Sequence, residues 1–223
     1  MKRGPIVRGG PEPTGTSAPL DRPPEGDGRA VRAARERAKH HRRILRAARD
    51  LFADPEGDDP KVSDIAQAAT CSTATIHNHF PNAVPDILGA ITSELMDAAY
   101  DRYKTTAAEL SGLDLPRAYV QAVSDEFYKA GTLTARIVGA SVELARHGRW
   151  LDEPGTTQLA GCFADAAKTE ELPGTPDDLA RLTHLLLQGA LYSWSLRSLT
   201  DDEYLYWAGQ SADLAIKARR CTQ

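Results

Sequence analysis

Long apolar runs are missing from this chain of 223 residues. No stretch approaches the ~18–20 residues that cross a bilayer, so neither a spanning helix nor a membrane partner is expected. The opening MKRGPIVRGG has no apolar core of the kind a secretory signal needs. Cysteine is scarce: Cys71, Cys162 and Cys221 are odd in number, far apart and never in CxxC spacing. That argues against a disulfide framework and a structural zinc site, and makes a reducing cytoplasm the expected compartment. Period-two alternation is absent too, which argues against a sheet. GxSxG, HExxH, GxGxxG and GxxxxGK do not occur, nor does a carboxylate pair that spacing could defend. Neither an enzyme nor a bound cofactor is expected.

Charge is present, but unevenly placed. The chain carries 27 Lys+Arg against 31 Asp+Glu, a formal −4. Residues 1–50 hold 13 basic and 6 acidic side chains, a local +7, leaving −11 on the remainder. One end is therefore suited to a polyanion, and the rest is not.

Residues 1–28 are rich in proline and glycine and poor in large apolar side chains, the composition of a disordered arm. From Arg29 the texture becomes Ala/Arg-rich. Ile44, Ala48, Leu51 and Phe52 recur at helical spacing, while the stretch before them has no apolar stripe and reads as a solvated basic extension or a frayed helix. Further helices are expected at about 62–69, 72–79, 85–110, 116–130, 133–147, 152–168, 176–197 and 201–219, with breaks at glycine and proline. The fold class is all-α with about nine helices.

The informative segment is VSDIAQAATCSTATIHNHF, Val62 to Phe80. Two short helices flank a tight connection at Thr70-Cys71. Ser72 is a good N-cap for the second, and Ile76 is its buried anchor. The second helix then presents short polar side chains around a positive N-terminus, the helix-turn-helix pattern.

ILRAARDLFA, VSDIAQAA, STATIHNHFP and a following proline-started helix, in that order and spacing over about residues 43–90, resemble the TetR family of bacterial transcriptional regulators. The resemblance implies a helix-turn-helix DNA-binding domain over 29–84 and a larger helical effector-binding and dimerisation domain over 85–223. It implies that Thr73, Thr75, His77 and Asn78 face the major groove, and that Lys61, Ser72 and His79 meet backbone phosphates. Arg42 and Arg43, with the basic residues before them, are expected to add sequence-independent contacts and a reach toward the minor groove. Three positions depart from the family pattern: Thr70 stands where glycine is frequent, His77 where an aromatic is usual, and Ala83 where a lysine is usual. The implied protein is a homodimeric regulator, in first reading a repressor, working in the cytoplasm on the nucleoid. A pseudo-palindromic double-stranded operator and a small apolar effector would be its partners. A DNA-bound protein of the same fold that answers to a protein partner is the alternative.

Most of the few aromatics lie in the second domain. Phe127, Trp150, Phe163, His184, Gln188 and Trp194 are the candidate effector-pocket residues, an apolar set with a few polar groups. The segment 176–197 is apolar on more than one flank, and Leu182, Leu186, Ala190 and Trp194 are the candidate dimer contacts. His40-His41 and His77-x-His79 have neighbours that diverge on a helix, with no carboxylate or cysteine to complete a tetrahedral set, so no metal is expected.

Overall fold

The computed structural model describes residues 27–146 and 154–221. Nearly all of the expected arm, and Trp150 with it, lies outside them. The described residues form nine helices and no strand: α1 Asp27–Ala53, α2 Val62–Ala68, α3 Thr73–His79, α4 Val84–Ala107, α5 Asp114–Ala130, α6 Thr132–Arg146, α7 Pro154–Ala166, α8 Pro176–Ser195 and α9 Asp201–Arg220. Side chains cap the starts of the last two helices. The Thr175 hydroxyl accepts the Asp178 N–H at 3.2 Å ahead of Pro176. Thr200 and Glu203 form a reciprocal capping box, each side chain accepting the other's backbone N–H.

Contacts divide the chain at Ala38/Lys39. On the N-terminal side, the described part is helical and every residue from Gly28 to Ala38 is exposed. From Lys39 onward a continuous apolar core runs through the chain. Its first section joins Ile44, Leu45, Ala48 and Phe52 of α1 to Ile65 and Ala66 of α2, Ile76 of α3, Phe80, and Ile87, Leu88 and Ile91 of α4. None of these is more than 4% exposed. Each large side chain so buried stabilises the fold by about 1.5–3 kcal/mol relative to exposure. α4 continues into the second section through Leu95, Ala99 and Tyr103. There α5 packs against α4, α7 and α9, and α8 packs against α7 and α9.

Two polar ties accompany the shared helix. Arg49 of α1 pairs with Glu94 of α4 at 2.7 Å. Arg136 of α6 pairs with Asp59 in the α1–α2 loop and donates to the Gly57 carbonyl at 3.3 Å.

The α2–α3 connection confirms the sterics foreseen at Thr70, which takes φ +50°. A β-branched residue is strained in that left-handed region. The turn is held by the Cys71 N–H on the Ala66 carbonyl at 2.9 Å and by the Arg43 guanidinium on the Thr70 carbonyl at 3.2 Å. Replacing Thr70 by glycine should remove the strain and return part of the gain as unfolded-chain entropy. A net stabilisation of about 0.5–1 kcal/mol is expected in chemical or thermal unfolding; a loss of stability would show that the turn does not strain its residue.

Candidate nucleic-acid interface and effector cavity

A helix as short as α3 needs outside support, and three groups supply it. Ile76, fully buried, fixes the inner face. The Ser72 hydroxyl accepts the Thr75 N–H at 3.1 Å and lies 2.9 Å from the Thr75 hydroxyl, closing the first turn. Phe80, 3% exposed, stacks on the His41 ring at 4.7 Å beyond the last turn. What remains outside is an edge made by Ser72, Thr73, Ala74, His77 and Asn78, all exposed. The positive helix end and these short side chains can approach a groove without obstruction.

The residues expected to touch DNA divide into three groups. Thr73, His77 and Asn78 stand on the open edge, and Arg42 and Lys61 are exposed beside it in sequence or turn. Lys61 also starts α2, its backbone N–H donating to the Asp64 carboxylate at 2.8 Å. Ser72, Thr75 and Arg43 are partly committed to the fold itself: the two hydroxyls to the cap, the guanidinium to the Thr70 carbonyl. Thr75 is accordingly half-buried rather than on the reading edge.

His79 is placed differently from expectation. It is half-buried, with its ring 5.9 Å from that of His41 and 6.5 Å from that of His40, and it lines a pocket that is partly open to solvent. The last turn of a helix points its side chains back over the preceding turn, and here that direction is inward. Ala83 has φ +51° and is 8% exposed at the start of α4, so a position that carries a cation in the family pattern is a buried methyl here. Among the described residues, no group of three or more His, Cys, Asp or Glu is placed to hold a metal ion.

The cavity measures about 810 Å³. Met96, Val123, Phe127, Ile137, Leu159, Leu187 and Leu191 give it apolar walls. At one end it is bounded by His79, Pro85 and Asp86, and elsewhere by Ser141 and Tyr192, whose hydroxyls are 2.6 Å apart. Asp86 accepts from the Asn82 backbone and amide at 2.8–3.1 Å. Tyr119 donates to Gln158 at 2.8 Å, and burial pushes its phenol well above the usual range, so it lines the cavity as a neutral donor. Among the described residues, neither lysine nor arginine lines the space.

Of the expected pocket residues, Phe127, His184 and Gln188 line the cavity. Phe163 does not, being fully buried in the core. Trp194 does not either: it stacks on Tyr204 at 4.7 Å, and its indole N–H donates to Asp201 at 2.8 Å. Spacing missed the α4 wall, Gly89, Thr92, Ser93 and Met96. Their i, i+3, i+4, i+7 recurrence is helical, but small and polar residues read as a solvent face. Among the expected dimer contacts, Leu182 is half-buried and Leu186 exposed, whereas Ala190 is buried inside the protomer and Trp194 is turned onto α9. Among the described residues the exposed large apolar side chains of the second domain are Leu185 (57%) and Leu186 of α8, Leu196 just after it, and Tyr206 (59%) and Trp207 of α9.

In solved structures the same arrangement recurs along nearly the full length of the partner chain. A TetR-family transcriptional regulator from Syntrophomonas wolfei matches with TM-score 0.63 at 17% identity, over 80% of this chain and 96% of that one. One from Rhodococcus sp. gives 0.62 at 16%, over 80% and 99%. One from Mesorhizobium loti gives 0.59 at 16%, over 83% and 97%. The chain has the TetR-regulator fold. No family model matches it, and no curated protein matches it in sequence. The TetR fold of these neighbours has a helix-turn-helix head followed by a larger helical domain.

The capping arrangement at α3 has a measurable weight. Ser72→Ala should cost about 1 kcal/mol of stability in denaturant unfolding, because it removes the hydroxyl that caps the Thr75 N–H and leaves that group only the Ser72 carbonyl at 3.0 Å; no change would mean that the cap does not support the helix.

Proposed function

We propose that this chain is a DNA-binding transcriptional regulator, a homodimeric repressor released from a pseudo-palindromic operator by a small apolar effector. The observation that carries the reading is the open edge of α3, with Thr73, His77 and Asn78 exposed around a fully buried Ile76. Asn78 has the amide geometry that reads adenine, and His77 offers ring nitrogens to base edges. Two such edges in a symmetric dimer would meet half-sites ~34–36 Å apart or a multiple of that.

For pairing, the exposed patch of Leu185, Leu186, Tyr206 and Trp207 is favoured over the flank that carries Ala190. It gathers bulky apolar side chains from two packed helices, as a permanent interface does. For control, the cavity supports a small molecule over a protein partner. Its volume is within the usual ligand range, and its largely apolar walls suit an apolar ligand. A ligand there touches α4, whose other face is seated in the head. Differential affinity of a few kcal/mol for one head arrangement suffices to empty an operator.

Selection of duplexes from a random pool should return a two-fold symmetric site. On that site His77→Ala and Asn78→Ala should each lose about 1–3 kcal/mol of discrimination at one base step. Arg42→Ala should weaken binding to all duplexes alike and shallow the salt slope by about 0.9. Uniform losses from all three would remove the reading edge from α3. In the second domain, Leu187→Trp should abolish Nile red fluorescence enhancement while leaving operator affinity intact, since the indole fills space that only a ligand uses. Undiminished dye binding would place the ligand elsewhere.

A further inference from the structure

The stretch Gly28–Ala38 buries nothing, yet it is helical. Ala30, Ala33, Ala34 and Ala38, with the arginines between them, are strong helix formers and account for the conformation without packing. What packing does not explain is the charge. Arg29, Arg32, Arg35 and Arg37 stand against Glu36 alone. No acidic residue lies three or four positions from Arg35 or Arg37, and Arg29, Arg32 and Arg35 repeat every three residues, so like charges are neighbours. Arg32 donates to the Gly28 carbonyl at 3.0 Å, leaving most of its guanidinium outward. An isolated helix is destabilised by such a pattern, and a polyanion would offset it.

We infer that Gly28–Ala38 is a second, sequence-blind DNA-contacting element that docks as a helix along the phosphates of the duplex. The inference rests on the DNA-binding reading above and adds a surface to it. The occupant follows from charge and shape. Val31 is the sole large apolar residue of the stretch, so there is no apolar face to enter a lipid interface or a protein groove. With side chains, a helix is about 10–12 Å across and the minor groove about 6 Å wide, so the minor-groove reach expected for these arginines does not fit a helical extension. Contact with the phosphate walls does, and it carries no base information.

The test is fluorescence anisotropy of the full chain on a mixed-sequence duplex of about 40 base pairs, from about 50 to 200 mM salt, where slope counts neutralised phosphates at about 0.9 each. Changing all four arginines to glutamine, which keeps helix propensity, should shallow the slope by about two or more and cut affinity about tenfold or more at 0.1 M salt. The matching four-lysine variant should keep the slope, because point charges suffice. Equal slopes for the unaltered chain and the glutamine variant overturn the inference while leaving the regulator reading standing. So does tight binding to phosphatidylglycerol vesicles that the glutamine variant loses without any change on DNA. If the unaltered chain binds no duplex at any salt, the regulator reading itself fails.

Discussion

Seven residues make too short a helix to persist in water, and α3 is that long. Its existence depends on one isoleucine. Ile76 is the sole buried residue of α3, set among Ile65, Phe80 and the first turns of α4. Because one side chain carries the anchoring, the others are released from packing duty, and short polar groups can occupy the outer edge. The strained turn at Thr70, the Ser72 cap and the His41–Phe80 stack then orient what Ile76 holds. Rigid support behind, chemical freedom in front: the same residue economy explains both the small size of the element and its exposed polar edge.

α4 extends that constraint into the second domain. One face of the helix is committed to the head through Ile87, Leu88 and Ile91, and another wall, from Gly89 to Met96, borders the cavity. A close-packed interior does not deform continuously, so whatever fills the cavity acts on α4 as a body. The ties Arg49–Glu94 and Arg136–Asp59 are exposed on at least one partner, 44% at Glu94 and 81% at Asp59. Exposed pairs of this kind are worth about 0–1 kcal/mol, far less than the apolar seam.

The order of elements and the helix-turn-helix were legible in the sequence because each local signal agreed with the next: a cap at Ser72, an apolar anchor at Ile76, breaks at glycine and proline. The strain at Thr70 was legible for the same reason, as a residue type set against a backbone requirement. The cavity was not. A void is defined by what several helices fail to fill, and no single periodicity records that. Its α4 wall is small and polar, its far end includes His79 from the reading helix, and the aromatics that composition favours, Phe163 and Trp194, are core and inter-helix packing. Leucines on two flanks of α8 mark both flanks as apolar, but which flank meets α9 depends on tertiary packing, and Trp194, bonded to Asp201, is on the α9 side.

The opposed charges of the two parts of the chain bear on how such a protein would find a site. A body with a net −11 is repelled by a duplex at long range, whereas the basic first fifty residues are attracted. At physiological ionic strength, interactions are screened beyond about 8 Å, so repulsion of the body fades at a short standoff while contacting arginines retain their effect. The acidic body then limits indiscriminate coating of DNA, and the basic end keeps encounter fast. On the proposed reading, affinity and selectivity would rest on different residues: the arginines of α1 for grip, and Thr73, His77 and Asn78 of α3 for sequence.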